Sequence, residues 1–460
     1  MPSWRCIAVV LVAGLSACAA VRNYDAQLGT TLNQASSGNI ESAISRLKAD
    51  NPQTDKDLLY YFELGMLERW RGHYDESQDA WGAAQKRIES GAISPVDLLR
   101  SASSYVVSDK VRTYEARDYE KVMLLTYMAL NFLALGDYDR ARVAIKQTHE
   151  LEATIAEARA KALAQAEAEA KKRGAVTSFK ELNGYPVESI DNPEVNALKN
   201  GYQSALSHYL AGFVYESLGE QSLAAPGYRL ANELQPNQPA LEEALRGLDQ
   251  RLRTPADGMV DVLFIVSSGA APTMRAQAFR LPVFTGHGTV LVSYSFPTLL
   301  ANPIFDQPTE LVIGGAQRVP LTRISSIDLM ARRSLKDDMP SIMLRATIRA
   351  TTSAVLQSQG QLHSNRNDGA AVAAIAGLAL SAFLQSADDR TWRSLPGEVS
   401  IARARLPPGV HDVTLRTTGG EQRARVSVSG SHAVIDFRAL SRQLFVQAPK
   451  AALAGGNEKP

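Results

Sequence analysis

Two cysteines, Cys6 and Cys18, are all that the 460 residues contain. Their spacing offers no disulfide framework and no Cys-x-x-Cys metal or redox motif. The seven histidines (His73, His149, His208, His287, His363, His411 and His432) are scattered, and none has a second ligand at metal spacing. Gly-x-Ser-x-Gly, a phosphate-cradling loop and a thiol nucleophile are all missing. Gly369 to Ala387 lacks charge over 19 residues, with small residues at Gly369, Ala373, Gly377 and Ser381. It is Ala-rich and ends in Gln385-Ser386, so it reads as a buried helix; a membrane-inserting or oligomerising segment is the alternative. The expectation from these absences is a protein that is not an enzyme and holds no cofactor or metal.

What is present begins at the N-terminus. Arg5 precedes a short apolar run, Cys6 to Ala13, too short for a permanent membrane helix. Leu15-Ser16-Ala17-Cys18 follows. This resembles the lipobox of bacterial lipoproteins, where the Cys sulfur receives a diacylglycerol and cleavage leaves Cys as the first residue. The competing reading is an ordinary secretory peptide cleaved after Leu-Ser-Ala. The lipobox reading makes 1–17 a signal peptide, Cys18 the lipid attachment site and 18–33 a lipidated tether. Loss of Cys6 would leave Cys18 without a disulfide partner. Ala19-Ala20 in place of Asp after the Cys implies the outer membrane, on its periplasmic side.

Charge is divided unevenly. Ala19 to Gly258 carries 27 Lys+Arg against 34 Asp+Glu, a net of −7; Met259 to Pro460 carries 21 against 14, a net of +7, and 18 of those 21 are Arg. Such a split marks two units with different partners or two halves that dock on each other. The Arg-rich half could meet an anionic envelope polymer or an acidic protein. Nucleic acid is not expected as a partner of an exported chain.

The acidic half shows self-similarity. Counting from Ala205, small or aromatic residues fall at Gly212, Tyr215, Ala224, Tyr228 and Ala231, then Pro236. From Leu58 they fall at Tyr61, Leu64, Gly65, Ser77, Trp81 and Ala84, and from Val122 at Leu125, Ala129, Phe132 and Ala141. A turn recurs as Arg71-Gly72-His73-Tyr74, Leu135-Gly136-Asp137-Tyr138 and Leu218-Gly219-Glu220, with a half-repeat at Gly38. The pattern resembles a degenerate tetratricopeptide array, in which small residues let paired helices approach and large ones fill the space between pairs. The resemblance assigns 34–253 to a helical domain, with a long helix over 151–173 and a loop over 174–193. It also implies a concave groove for a protein partner, lined here by Leu59, Phe62, Met66 and Arg69, and by Leu206, Tyr209, Phe213 and Glu216. Those positions could equally face a neighbouring helix or the C-terminal half.

After Thr254 the texture becomes that of strands. Met259 to Val266 is densely apolar, Arg275 to Phe284 alternates, and Thr289 to Phe296 is rich in β-branched and aromatic residues. Glu310 to Ile313 and Gln317 to Thr322 read as a hairpin through Gly314-Gly315, and Pro340 opens a predicted helix. Four strands follow Leu395-Pro396-Gly397, and Leu406 to Leu415 resembles small β-sandwich modules of the PEGA type, giving a sandwich-like end over 397–440. The expected architecture is multidomain α + β: a helical array, then a β-rich region over 254–447 with two helices, then a disordered tail over 448–460.

The lipobox, the repeats, the Val260-to-Val266 strand and Ala387-Asp388-x-Arg390-x-Trp392-x-x-Leu395-Pro396 with Ala402-Arg403 together resemble a bacterial family of outer-membrane lipoproteins with degenerate tetratricopeptide repeats. That resemblance implies no established activity. Three functions remain open: a scaffold binding a periplasmic or outer-membrane protein, a structural component of a secretion or surface-assembly apparatus, and a cell-wall glycan enzyme using Asp388 or Asp389. The first is expected.

Overall fold

A computed structural model describes residues 24–91, 114–173, 180, 184–253, 257–285, 288–300, 302, 306–364, 388–441 and 443–449. Cys18, the uncharged segment from Gly369 to Ala387 and the chain beyond Pro449 lie outside the described residues.

Helices come first: α1 (Tyr24–Ser36), α2 (Ile40–Ala49), α3 (Leu58–Trp70), α4 (Tyr74–Ser90), α5 (Asp118–Ala134), α6 (Tyr138–Arg173), α7 (Pro193–Ala197), α8 (Ala205–Ser217), α9 (Gln221–Leu234), α10 (Pro239–Arg246) and α11 (Leu248–Arg253). The recurring turn explains itself. Gly72 adopts φ +79° and Gly136 φ +76°, the left-handed conformation that ends a helix without a Cβ penalty. Around them His73 N–H donates to the Glu68 carbonyl at 3.0 Å and Asp137 N–H to that of Phe132 at 2.8 Å, reversing the chain identically each time.

The small residue of each pair is set by close approach. A Cβ on Gly65 would lie 2.3 Å from the Trp81 indole nitrogen, and one on Gly212 would lie 2.6 Å from the Tyr228 ring. Gly65→Ala is therefore expected to cost at least ~1–3 kcal/mol by overpacking. Gly82→Ala, in open space on the next helix, should be neutral or stabilising by up to ~1 kcal/mol. Urea unfolding midpoints of the two variants check the contrast.

Several boundaries differ from the sequence expectation. The segment 18–33, expected as a tether, is helical from Tyr24 onward. The long helix is continuous with the second helix of its pair and runs from Tyr138 to Arg173. Its alanines are not all idle: Ala166 and Ala170 take Leu344 between them. Pro340 does not open a helix but sits inside one, α12 (Ile327–Ser364), whose start is capped instead by the Ser326 hydroxyl accepting from Leu329 N–H at 3.3 Å. Of the two helices expected in the β-rich region, α12 is described and the other falls in the undescribed segment. Ala448 is no free tail: it is fully buried and hydrogen-bonds the Tyr74 hydroxyl through both its N–H and its carbonyl.

The strands are β1 (Val260–Ser268), β2 (Thr273–Thr285), β3 (Gly288–Leu300), β4 (Pro308–Ile313), β5 (Gln317–Pro320), β6 (Thr322–Ser326), β7 (Glu398–Leu406), β8 (Gly409–Thr417), β9 (Gly420–Val428), β10 (His432–Leu440) and β11 (Gln443–Gln447). A five-stranded sheet has the order β11-β10-β1-β7-β6, a four-stranded sheet the order β5-β4-β8-β9, and β2 and β3 pair with each other. The expected β4–β5 hairpin is present. The four strands over 397–440 do not form a module of their own. β7 and β10 flank β1, while β8 and β9 extend β4, so each sheet needs strands from before α12. One apolar core lies between these two sheets. A second, larger core is continuous from the helical array into the opposite face of the five-stranded sheet, the strap around Tyr185 and Ile190, and α12.

Candidate functional site

The face of the array expected to take a partner is covered by the chain's own C-terminal half. Leu59, Phe62, Met66, Arg69, Leu206, Tyr209, Phe213 and Glu216 are all at most 2% exposed. None is open to an outside ligand in this structure. The two halves bury what each would otherwise expose, and ion pairs join the acidic half to the basic one. Lys336 of α12 reaches Asp191 at 2.9 Å, and Arg403 of β7 reaches Glu216 at 2.8 Å.

The first part of the site is a socket for residues 392–394. Trp392 is fully buried and stacks on Phe62 of α3 with ring centroids 4.4 Å apart; Trp81 meets it edge-on at 6.0 Å. Two buried carboxylates read the backbone here. Glu120 accepts Trp392 N–H at 2.8 Å, while Glu63 accepts Arg393 N–H at 2.8 Å and Ser394 N–H at 3.2 Å. The indole N–H donates to the Ser394 hydroxyl at 2.8 Å. Tyr24 and Tyr114 add hydroxyl donors to Glu63 and Glu120. Glu120 also closes the start of α5 by accepting Arg117 N–H at 2.8 Å. A turn at Arg393 and Ser394, held by its backbone N–H groups with one aromatic anchor beside it, seats the chain's own segment in this socket.

Burial outweighs those hydrogen bonds at Glu63 and pushes its carboxyl up to about 7; burial raises Glu120 as well. A carboxyl whose folded value is raised stabilises the fold fully below its unfolded value near 4.5, and that contribution is lost as pH rises through 7. Glu63→Gln should remove this component. The stability difference, wild type minus Glu63→Gln, is expected to fall between pH 4.5 and 7. Denaturant titrations of both proteins across that range measure it, and a flat difference would exclude the assignment.

The second part centres on Arg69, the last charged groove position of α3. Its guanidinium lies between Asn131 of α5 and Asp436 of β10, 2.7 Å from the latter carboxylate, and 5.9 and 5.8 Å from the Tyr74 and Tyr127 ring centroids. The third part belongs to α8. Leu206 N–H donates to the Ser325 hydroxyl of β6 at 3.1 Å. Arg403 lies 5.1 Å from the Phe213 ring centroid and pairs with Glu216 at 2.8 Å and Asp261 at 2.5 Å; Arg251 pairs with Glu216 at 2.6 Å. Burial alone would raise the Glu216 carboxyl. Hydrogen bonds from Arg251 and the charge of Arg403 bring it down to about 2.

No family model, curated protein or solved structure matches this chain.

Glu216, Asp261 and His432 are the one set of metal-type ligands that converge among the described residues, with ligand atoms within 4.8 Å of one another. They do not fit a metal. Two guanidiniums already engage the carboxylates, and a divalent ion would have to displace both cations from a buried position. His432 is held below its usual value, by burial first. His208 and His149 stack at 5.0 Å, and the His208 Nε2 bonds Glu152 at 3.0 Å, joining α6 to α8. Asp388 holds its own neighbour Arg390 at 2.8 Å, and that guanidinium sits over Tyr114 at 5.3 Å, so the Asp388-to-Trp392 stretch leads into the socket.

Glu63, Glu120 and Asp436 do not stand out as site residues in the sequence reading. A signal exists for two of them. Glu63 interrupts the apolar run Leu58-Leu59-Tyr60-Tyr61-Phe62, and Glu120 sits at the head of another, so each is a charged residue on a face bound for burial.

Proposed function

We propose that this chain is a scaffold lipoprotein of a bacterial cell envelope, anchored by lipid on Cys18. In this reading its tetratricopeptide-like array is closed on its own β-rich region and carries no catalysis. The observation behind it is the occupied groove: every predicted groove position is buried within the chain itself. Binding to a periplasmic or outer-membrane protein therefore falls to the outer surfaces. An acidic residue pair for glycan chemistry finds little support, since Asp388 is engaged by Arg390.

The experiment is fractionation of Cys18→Ser against wild type after expression in a Gram-negative host. The variant is expected in the soluble periplasmic fraction and the wild type in membranes. Retention of the variant in membranes after carbonate washing would sink the lipid-anchor reading. Crosslinking and pull-down from the envelope then test the scaffold role.

One observation favours the assembly-component reading. β2 and β3 are 13 residues each, and among the described residues this hairpin pairs with no other strand, leaving two edges open. Light scattering separates the readings: a closed multimer supports the assembly component, and a monomer with a stoichiometric partner supports the scaffold.

A further inference from the structure

A cleft of about 290 Å³ opens where α1 crosses the ends of the two sheets. Its floor is Arg438 of β10 against Trp70 of α3, the guanidinium 5.4 Å from the indole centroid. Arg438 is 3% exposed. Its terminal nitrogens donate to three backbone carbonyls: Ser267 and Ala439 at 3.2 Å each, and Gly269 at 2.5 Å. Its Nε has no acceptor among the described residues. Among those residues no carboxylate lies within ion-pair reach; Asp436, two residues earlier, is committed to Arg69. Arg438 is thus a buried cation held by backbone carbonyls and the Trp70 ring, with no direct ion pair among the described residues. A buried donor or charge left uncompensated in a native structure calls for a missing ion, water or ligand.

The rest of the wall suits an anion. Arg393 brings a second guanidinium to the cleft, against one lining carboxylate among the described residues, Asp306, which is turned onto Gly419. Asn33 and Ser36 of α1 and Gln422 of β9 supply neutral hydrogen-bonding groups; Leu32, Trp70 and Leu440 supply apolar surface. Burial pulls the Arg438 guanidinium down to about 10, outweighing the charge of Asp436 nearby. Guanidinium groups bind phosphate through paired N–H donors, and a small polar–apolar cleft suits a phosphate carrying a short apolar or glycerol moiety.

We infer that the cleft between α1 and Arg438 binds a phosphate ester, with the phosphate set against Arg438 and Arg393. The source is either a phospholipid headgroup or a free phosphate ester. The lipid source rests on the anchor proposed above: extended chain from Cys18 to Tyr24 spans at most ~20 Å, so α1 would lie near the bilayer surface.

The test uses the full chain in a non-ionic detergent, with thermal shift and tryptophan fluorescence read on adding three probes. They are sn-glycerol 3-phosphate, dihexanoylphosphatidylglycerol below its micelle concentration, and dihexanoylglycerol as a phosphate-free control. Saturable binding of either phosphate probe but not the control supports the inference. Preference for the lipid probe identifies a headgroup, and preference for glycerol 3-phosphate a free ester. Equal binding of the control, or binding of none, overturns it. Asn33→Phe, at an exposed position on the cleft wall, should weaken binding at least tenfold without disturbing the core. Arg438→Lys should retain part of the affinity and Arg438→Met lose it; if Arg438→Met fails to fold, Asn33→Phe alone decides. Cys18→Ser should bind both phosphate probes as wild type does, so failure of the anchor reading leaves this result unchanged.

Discussion

Trp392→Ala should detach residues 388–397 from the helical array at a cost of ~3–5 kcal/mol, the range for removing a fully buried aromatic side chain. The indole is 0% exposed and stacked on Phe62. Its loss leaves a cavity bordered by Trp81 and Tyr127. It also loosens the backbone N–H groups that keep Glu63 and Glu120 hydrogen-bonded. Two carboxylates that lose donors in an apolar setting add to the loss. Denaturant unfolding gives the magnitude. Limited proteolysis gives the place: the variant should acquire cuts within 388–397 while its helical circular dichroism stays near wild type. Loss of helical signal with no new cuts there would mean that the array cannot stand without its occupant.

Arg403→Met is the second large effect. Among the described residues Arg403 is the cation that touches both Glu216 and Asp261, and its removal sets two buried carboxylates near each other with Arg251 left to serve Glu216. Breaking a buried pair by deleting one partner costs ~3–5 kcal/mol. The cost has a definite pH dependence. Glu216, lowered to about 2, contributes stability that is present above its unfolded value near 4.5 and lost as pH falls toward 2. The gap between wild type and Arg403→Met should therefore be widest near neutrality and narrow as pH drops through 4.5. Combining Arg403→Met with Glu216→Gln should recover part of the loss, because the neutral amide needs no counter-charge. Strict additivity of the two substitutions would show that the pair does not act as a unit.

The helical half was legible because its signals are local. Gly65 with Trp81 and Gly212 with Tyr228 are contacts within one helix pair, and the turn glycines act through their own φ. The same local reading identified the groove positions but not their occupant, since nothing in Leu59 or Phe213 says what lies opposite. The occupant comes from residues more than 180 positions away, as in Glu216 with Arg403 and Phe62 with Trp392. The sandwich end was misassigned for a related reason. The alternation in Val399 to Leu406 marks a strand, but its partners β1 and β6 lie on the far side of α12. Pro340 misled because a proline tolerated inside a long helix looks, in isolation, like one that begins it.

The strand order sets a schedule for the growing chain. β1 is the central strand of its sheet, yet both its neighbours come late: Val260 pairs with Leu406, and Asp261 with His432. Contacts of such large sequence separation form slowly, and surface awaiting them is prone to aggregate. The array, built from neighbours in sequence, can be complete while its inner face is still bare. On this order of events, the growing chain would pass through an open form that exposes Phe62, Phe213 and two carboxylates awaiting backbone donors. A holding factor that recognises apolar helix faces would engage that transient form and be expelled when residues 392–440 arrive.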